Sequence, residues 1–577
     1  GTGISSGGAL RNISGDNSYA GAITLAAASR INSDSGLLTL SGAIGGTQDL
    51  TIGGAGNTTI SNAIGISTGT LTKDGAGTLT LSGANTYTGT TTVSAGTLTL
   101  SGGSAIANNG AVSISSGAVL NLGASETVGT IAGAGNVTLG SFTLTTNASS
   151  DTTHSGVISG SGALTKNGSS TLTLSGANTY SGATRINTGT LQIGNGLTTG
   201  SLNATSAITV NGTLAFNRSD DITQGTHFST AAIGGTGSIV QNGAGTITLN
   251  AANNYSGGTT LNTGTLVIGH AGAAGSGTIT QANATSLLKF DTTGTITNAM
   301  LVHNVLATQS ATLSGAITVN NATWDIDTGD TLTISGNISG PGGITKNGSG
   351  TLVLSGSNSY SAPTVINAGT LNATTANALG SNNTVQINGG TLLVTADDAI
   401  NGKNITMSTN TIGLQFSGTY NGSIGLLTLN ANSIIDLGAG SVIARFSDID
   451  FAGYNLSIYN WTGQTLWGGT NRDNTDQVYI MAPVDPLDLD RISFYSGNYG
   501  TDSFLGSGFE LGFSSGFADQ IIPVPEPETY ATGLLLLLGG AVWMWKRNRN
   551  TCQRALAGQP AEGSPKGETS GSERGNA

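Results

Sequence analysis

The chain has 577 residues, 92 of them glycine and only 9 proline, with 37% hydrophobic and 8% charged residues and a formal net charge of −12. Charge this sparse, against about 25% in ordinary globular domains, argues against a row of globular domains. Collagen is excluded because the glycines follow no triplet, and plain disorder because the aliphatic residues alternate as T-L-T-L. Six of the 18 basic residues lie at or beyond Lys546, so the body before them holds 12 basic against 27 acidic residues. Without a basic cluster to displace counterions from phosphate, nucleic acid is not an expected partner.

From the N-terminus, the chain opens at Gly1 without Met and reads as trimmed there, so export must be judged from the other end. A 30-residue unit then recurs from Leu71, Leu164, Ile239 and Ile344 without insertion. Tyr87, Tyr180, Tyr255 and Tyr360 hold one position of it. Asn85, Asn178, Asn253 and Asn358 hold a second, and Gly96, Gly189, Gly264 and Gly369 a third. Within each unit the T-L-x-L string returns after 19 residues, as in Thr78 to Leu81 and Thr97 to Leu100. That cadence predicts one coil of a β-solenoid, with leucines inward, threonines outward and Asn/Gly at the corners. Residues 1–437 would form roughly 22 coils, a rod on the order of 100 Å at a strand spacing of ~4.8 Å. Lys73, Lys166 and Lys346 are read as residues of the turn in the repeat.

Between 440 and 522 lie 14 of the chain's 29 aromatic residues, among them Phe446, Tyr459, Trp461 and Phe494. The density predicts a compact β module or a cap over 438–522 that closes the last coil. Then come Val524-Pro525-Glu526-Pro527-Glu528, an apolar run over 530–545, the basic residues Lys546, Arg547 and Arg549, and a polar, disordered tail over 550–577. The run is long enough for a hydrophobic helix that marginally spans a membrane, with the basic residues holding its end in the cytoplasm.

Two resemblances follow from these residues. The T-K-x-G-x-G-T-L-T-L-S-G-x-N-x-Y-x-G motif resembles the autotransporter-associated, or passenger-associated transport, β-strand repeat of bacterial surface proteins, which implies a right-handed parallel β-helix. The stretch 523–549 resembles a PEP-CTERM sorting signal. That likeness implies recognition of Val524, Pro525, Glu526 and Pro527 by an exosortase-like membrane enzyme in a Gram-negative, exopolysaccharide-making bacterium. The precursor would then be held in the inner membrane before release to the envelope, surface or matrix. The 83 residues between repeats and tail are too few for an outer-membrane barrel.

Candidate chemistry is thin. His154, His227, His270 and His303 are scattered and expected at the surface or at coil corners. Asp325 and Asp327 share one strand face near Asp330 and are weighed as calcium ligands, but the EF-hand and β-roll patterns are absent. Asp220, Asp221, Asp485, Asp488 and Asp490 are discounted in the same way. Cys552 is the lone cysteine, so neither an intrachain disulfide nor a Cys-based metal site can form. No catalytic residue, metal or cofactor is expected. The function read from the sequence is structural or adhesive, through exposed Thr/Asn/Ser ladders that meet exopolysaccharide or other cells. The alternative is a β-helix polysaccharide lyase or hydrolase, which would need Asp, Lys and Arg to converge on neighbouring coils.

Overall fold

The computed structural model describes residues 1–461, 476–482, 486–496, 503–511 and 519–524. Within them the chain is a parallel β-solenoid of about 21 turns. Short strands follow one another around each coil and pair with their counterparts in the coils before and after. Thr78–Leu81 lies on Thr97–Leu100, which lies on Val119–Leu122, all parallel. The two T-L-T-L strings of each repeat are therefore one coil apart, with Thr78 opposite Thr97, Thr171 opposite Thr190, Thr246 opposite Thr265 and Thr351 opposite Thr370.

Coil length varies around this cadence. Met300 faces Ile317, and Thr213 faces Ser238. The tight coil belongs to the long strands Met300–Ala307 and Ile317–Ile326, whose pairing shifts register between Val302 and Asn304. A strand that runs through a corner needs fewer residues for one circuit. Between Thr213–Phe216 and Ser238–Gln241 the wide coil carries the short strand Ile222–Thr223 and the turn that follows it.

Alternation decides which side chains are inside. Leu79, Leu81, Leu98 and Leu100 are fully buried, and the threonines between them are half-exposed. One continuous apolar column results, from Leu25 and Ile31 at one end to Ile492 and Phe494 at the other, with Trp324 the largest fully buried side chain. Corners impose a different requirement. Gly96 has φ +67°, and a Cβ there would stand 2.4 Å from the Gly75 carbonyl oxygen and 2.5 Å from that of Gly77. Gly189, Gly264 and Gly369 repeat this conformation, which is why the position is glycine in all four units.

The aromatic-rich stretch from 438, expected as a module or cap, begins as further coils. Ser433–Asp436 pairs in parallel with Leu456–Tyr459, which pairs with Ile492–Ser496. Its last strands turn antiparallel: Ser503–Leu511 pairs with Ile492–Ser496 and with Asp519–Val524. Tyr459 stacks on Tyr495 at 4.5 Å, and Trp461 meets Phe494 edge-on at 4.7 Å. Segment 530–545 and tail 550–577 lie outside the described residues, and among those residues no helix is long and apolar enough to cross a membrane.

Because Leu98 is fully buried between Leu79 and Leu120 of the flanking coils, Leu98→Ala is expected to cost about 2–5 kcal/mol. Urea unfolding of the folded chain measures it. A loss no larger than that of an outward Thr99→Ala change would contradict the inward assignment of the leucines.

Candidate functional surface

The recurring asparagine and tyrosine of the repeat point into the solenoid, whereas its recurring threonines Thr78 and Thr97 point outward. Asn85 spans three coils: its Oδ1 accepts from Ile64 N at 2.7 Å and its Nδ2 donates to Ala105 O at 2.7 Å. Asn253 bridges Ile233 N and Ala273 O, Asn358 bridges Ile338 N and Ala378 O, and Asn178 joins Ile158 N to Ser201 O. The tyrosine two residues on is fully buried and its hydroxyl meets a threonine four residues later. The pairs are Tyr87–Thr91 at 2.7 Å, Tyr180–Thr184 at 2.7 Å, Tyr255–Thr259 at 2.5 Å and Tyr360–Thr364 at 2.6 Å. Backbone groups at coil corners cannot all find ladder partners, and these buried amides and hydroxyls satisfy them or one another.

The repeat lysines correct a sequence expectation. Lys73, Lys166 and Lys346 are not surface turn residues: each ends or lies within a strand and points inward, buried. Lys73 Nζ donates to the carbonyls of Asp74 at 2.8 Å, Gly75 at 2.8 Å and Ala95 at 3.0 Å. Lys346 binds Asn347, Gly348 and Ala368 in the same way, and Lys166 binds Asn167 and Gly168. In the third unit Gln241 takes the slot and donates to Gly243 O and Gly245 O, both at 2.9 Å. Burial pulls the pKa of Lys73 and Lys346 down to about 8. The slot calls for a donor to corner carbonyls, which an amide fills without charge.

The units do not share one face of the solenoid. Following one ladder, Lys73 leads through Val93, Ile114, Gly133 and His154 to Leu174. The third residue of the first unit thus lines up with the eleventh of the second, which is displaced by one face. A motif that turns with respect to the axis does not present a single aligned surface, and what its copies share is the packing of one coil on the next.

The remaining candidates stay apart. His154 is fully buried, contrary to the expected surface or corner location. Its strand, Thr152–His154, has no aliphatic residue to fix the phase of the alternation, so its burial is not legible from its neighbours in the chain. His227 and His270 accept from nearby backbone amides through Nδ1, and His303 Nδ1 lies 3.2 Å from Asn320 O. Asp325 and Asp327 both project outward, and Asp330 accepts from Ser310 Oγ. Asp488 pairs with Arg491, Asp490 is exposed, and Asp485 lies outside the described residues. No group of three His, Cys, Asp or Glu placed to hold a metal occurs among the described residues. Asp220 clamps Arg218, whose guanidinium is buried and also donates to Gly200 O and Thr198 O, while Asp221 accepts from Thr246 N. Glu126, also unforeseen, is buried and accepts from Ala105 N and Ile106 N at 3.1 Å each, with burial pushing its pKa up. Its alternation with Val128 in Glu126–Val128 was the signal available. Val524 ends the strand Asp519–Val524, whereas Pro525, Glu526, Pro527, Lys546, Arg547 and Arg549 lie outside the described residues.

What faces solvent is a lattice of hydroxyls and amides. Thr39, Thr59, Thr80 and Thr99 stack in register, with Asn57, Thr78 and Thr97 beside them, and Ser41, Ser61, Ser82 and Ser101 follow two residues further along each coil. Asn57, Ser41, Ser61 and Ser82 are exposed, the others are partly exposed, and none is charged. Elsewhere asparagines form side-chain ladders: Asn367 Nδ2 donates to Asn347 Oδ1 and Asn388 Nδ2 to Asn367 Oδ1, both at 2.9 Å.

The inward and outward amides should separate in energy. Asn358→Ala strands the buried Ile338 N–H and Ala378 carbonyl and is expected to cost about 1–3 kcal/mol for each group left unpaired. The exposed Asn388→Ala should stay within about 0.5 kcal/mol. Denaturant unfolding of both variants checks this, and equal losses would contradict it.

Residues 71–100, 164–193, 239–268 and 344–373 match the family described as Passenger-associated-transport-repeat. Over 428 residues, 68% of this chain, the sequence is 32% identical to the Adhesin BmaC autotransporter of Brucella suis biovar 1 (strain 1330). The chain spans only 12% of that relative's length. No solved structure matches. The chain is thus a parallel β-solenoid that carries four passenger-associated transport repeats and is similar to a stretch of an autotransporter adhesin.

Proposed function

We propose that this chain is the shaft of an exported bacterial surface or matrix protein with a structural and adhesive role. Its contact surface is the uncharged hydroxyl lattice around Thr59, Thr80 and Thr99. The observation that carries this reading is one face, built of Thr39, Thr59, Thr80 and Thr99 with the serines beside them, that holds no charge over four successive coils on a molecule of net charge −12. A neutral polymer laid along the coils would meet the same groups at every ~4.8 Å step, so weak contacts would add as in any multivalent attachment. The similarity to a protein named as an adhesin supports the same reading. The polysaccharide lyase or hydrolase reading gains no support, since Lys73, Lys166 and Lys346 lie in the core and Arg11, Arg30, Arg218 and Lys289 are each paired with an aspartate.

Export and sorting rest on the sequence. In this proposal the coils wind right-handed, and segment 530–545 delivers the precursor to the inner membrane with Lys546, Arg547 and Arg549 on the cytoplasmic side. An exosortase-like enzyme then acts at Val524-Pro525-Glu526-Pro527. The polar tail 550–577 is removed with the membrane segment, and no metal or cofactor is required.

Two measurements test these statements. Thr59→Lys combined with Thr99→Lys places charges two coils apart on the lattice without setting like charges directly opposite each other. Binding of the folded variant to microcrystalline cellulose should fall about tenfold; unchanged binding would show that the lattice is not the contact surface. Replacing Pro525, Glu526 and Pro527 by alanine leaves the apolar segment and its basic flank in place. Intact mass should then show unprocessed protein retained in the membrane, whereas a mass equal to that of the processed wild-type chain would contradict sorting at this motif.

A further inference from the structure

The ladder that runs from Lys73 to Leu174 contains one inward residue whose polar atoms the fold does not satisfy. His154 is fully buried, paired in register with Gly133 on one side and Leu174 on the other. Neither ring nitrogen makes a hydrogen bond, and Thr152 Oγ1, two residues before it, is buried without a partner as well. The backbone at Ala132 offsets part of the burial but does not reach normal hydrogen-bond geometry.

The surroundings offer a charged imidazole nothing. The strands Thr130–Gly133, Asn136–Thr138, Thr143–Asn147 and Thr171–Leu174 carry no titratable side chain. Lys166, on Ala163–Asn167 of the same coil, is a cation held by its own corner carbonyls. Glu126, further back, is bound to the amides of Ala105 and Ile106, and Asp151 accepts from Thr171 N at 2.7 Å. No free carboxylate can move in to pair with the ring.

We propose that the coil containing His154 is an acid-sensitive joint, at which protonation of the buried ring opens the stack between Thr130–Gly133 and Thr171–Leu174 while the coils on either side remain folded. A solenoid is held by contacts between neighbouring coils, so one weakened interface opens locally without unfolding the remainder. Burial lowers the imidazole pKa from 6.5 to about 4. A base whose folded pKa is depressed contributes stability that is fully present above pH 6.5 and is lost as the pH falls toward 4.

Hydrogen exchange of the full chain, followed by mass spectrometry and corrected for intrinsic rates, reads the opening directly. From about pH 7 to about pH 4, the opening constant of peptides covering 131–174 should rise about a hundredfold in the wild type. Peptides covering Thr351–Leu354 and Thr370–Ala373, whose coils hold no buried histidine, should change far less. His154→Leu, which puts a leucine beside Leu174, should abolish the local rise, and His154→Met serves as a second variant should leucine fail to pack. An equal acid response in these variants, or a wild-type response spread evenly along the chain, would overturn the proposal.

Discussion

The solenoid depends on parallel stacking of coils in register. A single coil has short strands, two open rows of backbone donors and acceptors, and a few inward aliphatic side chains that it cannot cover alone. Only the neighbouring coils can satisfy all three, at the strand spacing of ~4.8 Å. The strict inward place of Leu79, Leu98 and Leu120, the glycine at Gly96 and the buried bridge made by Asn85 each answer that one requirement at a different point of the circuit.

The repeat is best understood from the same requirement. Its invariant letters are polar, which in a surface protein invites a reading as a binding motif. Several of these side chains are instead inside: an asparagine that ties three coils, a tyrosine bonded to a threonine, and a lysine or glutamine that caps corner carbonyls. The repeat turns relative to the axis between its first and second copies, and this costs nothing because each copy needs only the coils above and below it. The outward positions between the leucines are free of that requirement, and there the chain displays its hydroxyl lattice.

Much of this was legible in the residues. The 19-residue return of T-L-x-L located coils that do stack at that distance, because period-two alternation and in-register pairing leave little freedom once the leucines are fixed. Gly96 and its equivalents announced corners. The buried polar groups were harder to see. Lys73 follows a leucine and a threonine in phase with the core, but a cation in that slot reads as a turn until the carbonyls around Nζ are located. His154 sits in a strand with no aliphatic residue to set the phase, and Arg218 lies just past the strand Thr213–Phe216, where a cation reads as a turn residue until the carbonyls of Thr198 and Gly200 are located. The aromatic residues after 438 suggested a change of architecture, yet their first strands extend the same ladder, since an aromatic side chain fits an inward slot as well as an aliphatic one does.

In the proposed division of labour the repeat's inward side chains hold the coils together, while contact with partners falls to the outward residues. The most direct test is one chain with Tyr87, Tyr180, Tyr255 and Tyr360 all replaced by phenylalanine, compared with wild type for both thermal unfolding and attachment to microcrystalline cellulose. Four buried hydroxyl bonds would be lost at about 1 kcal/mol each with the rings still in place. The expected result is a lower unfolding temperature with unchanged attachment of the folded protein. Attachment lost at unchanged stability would contradict it.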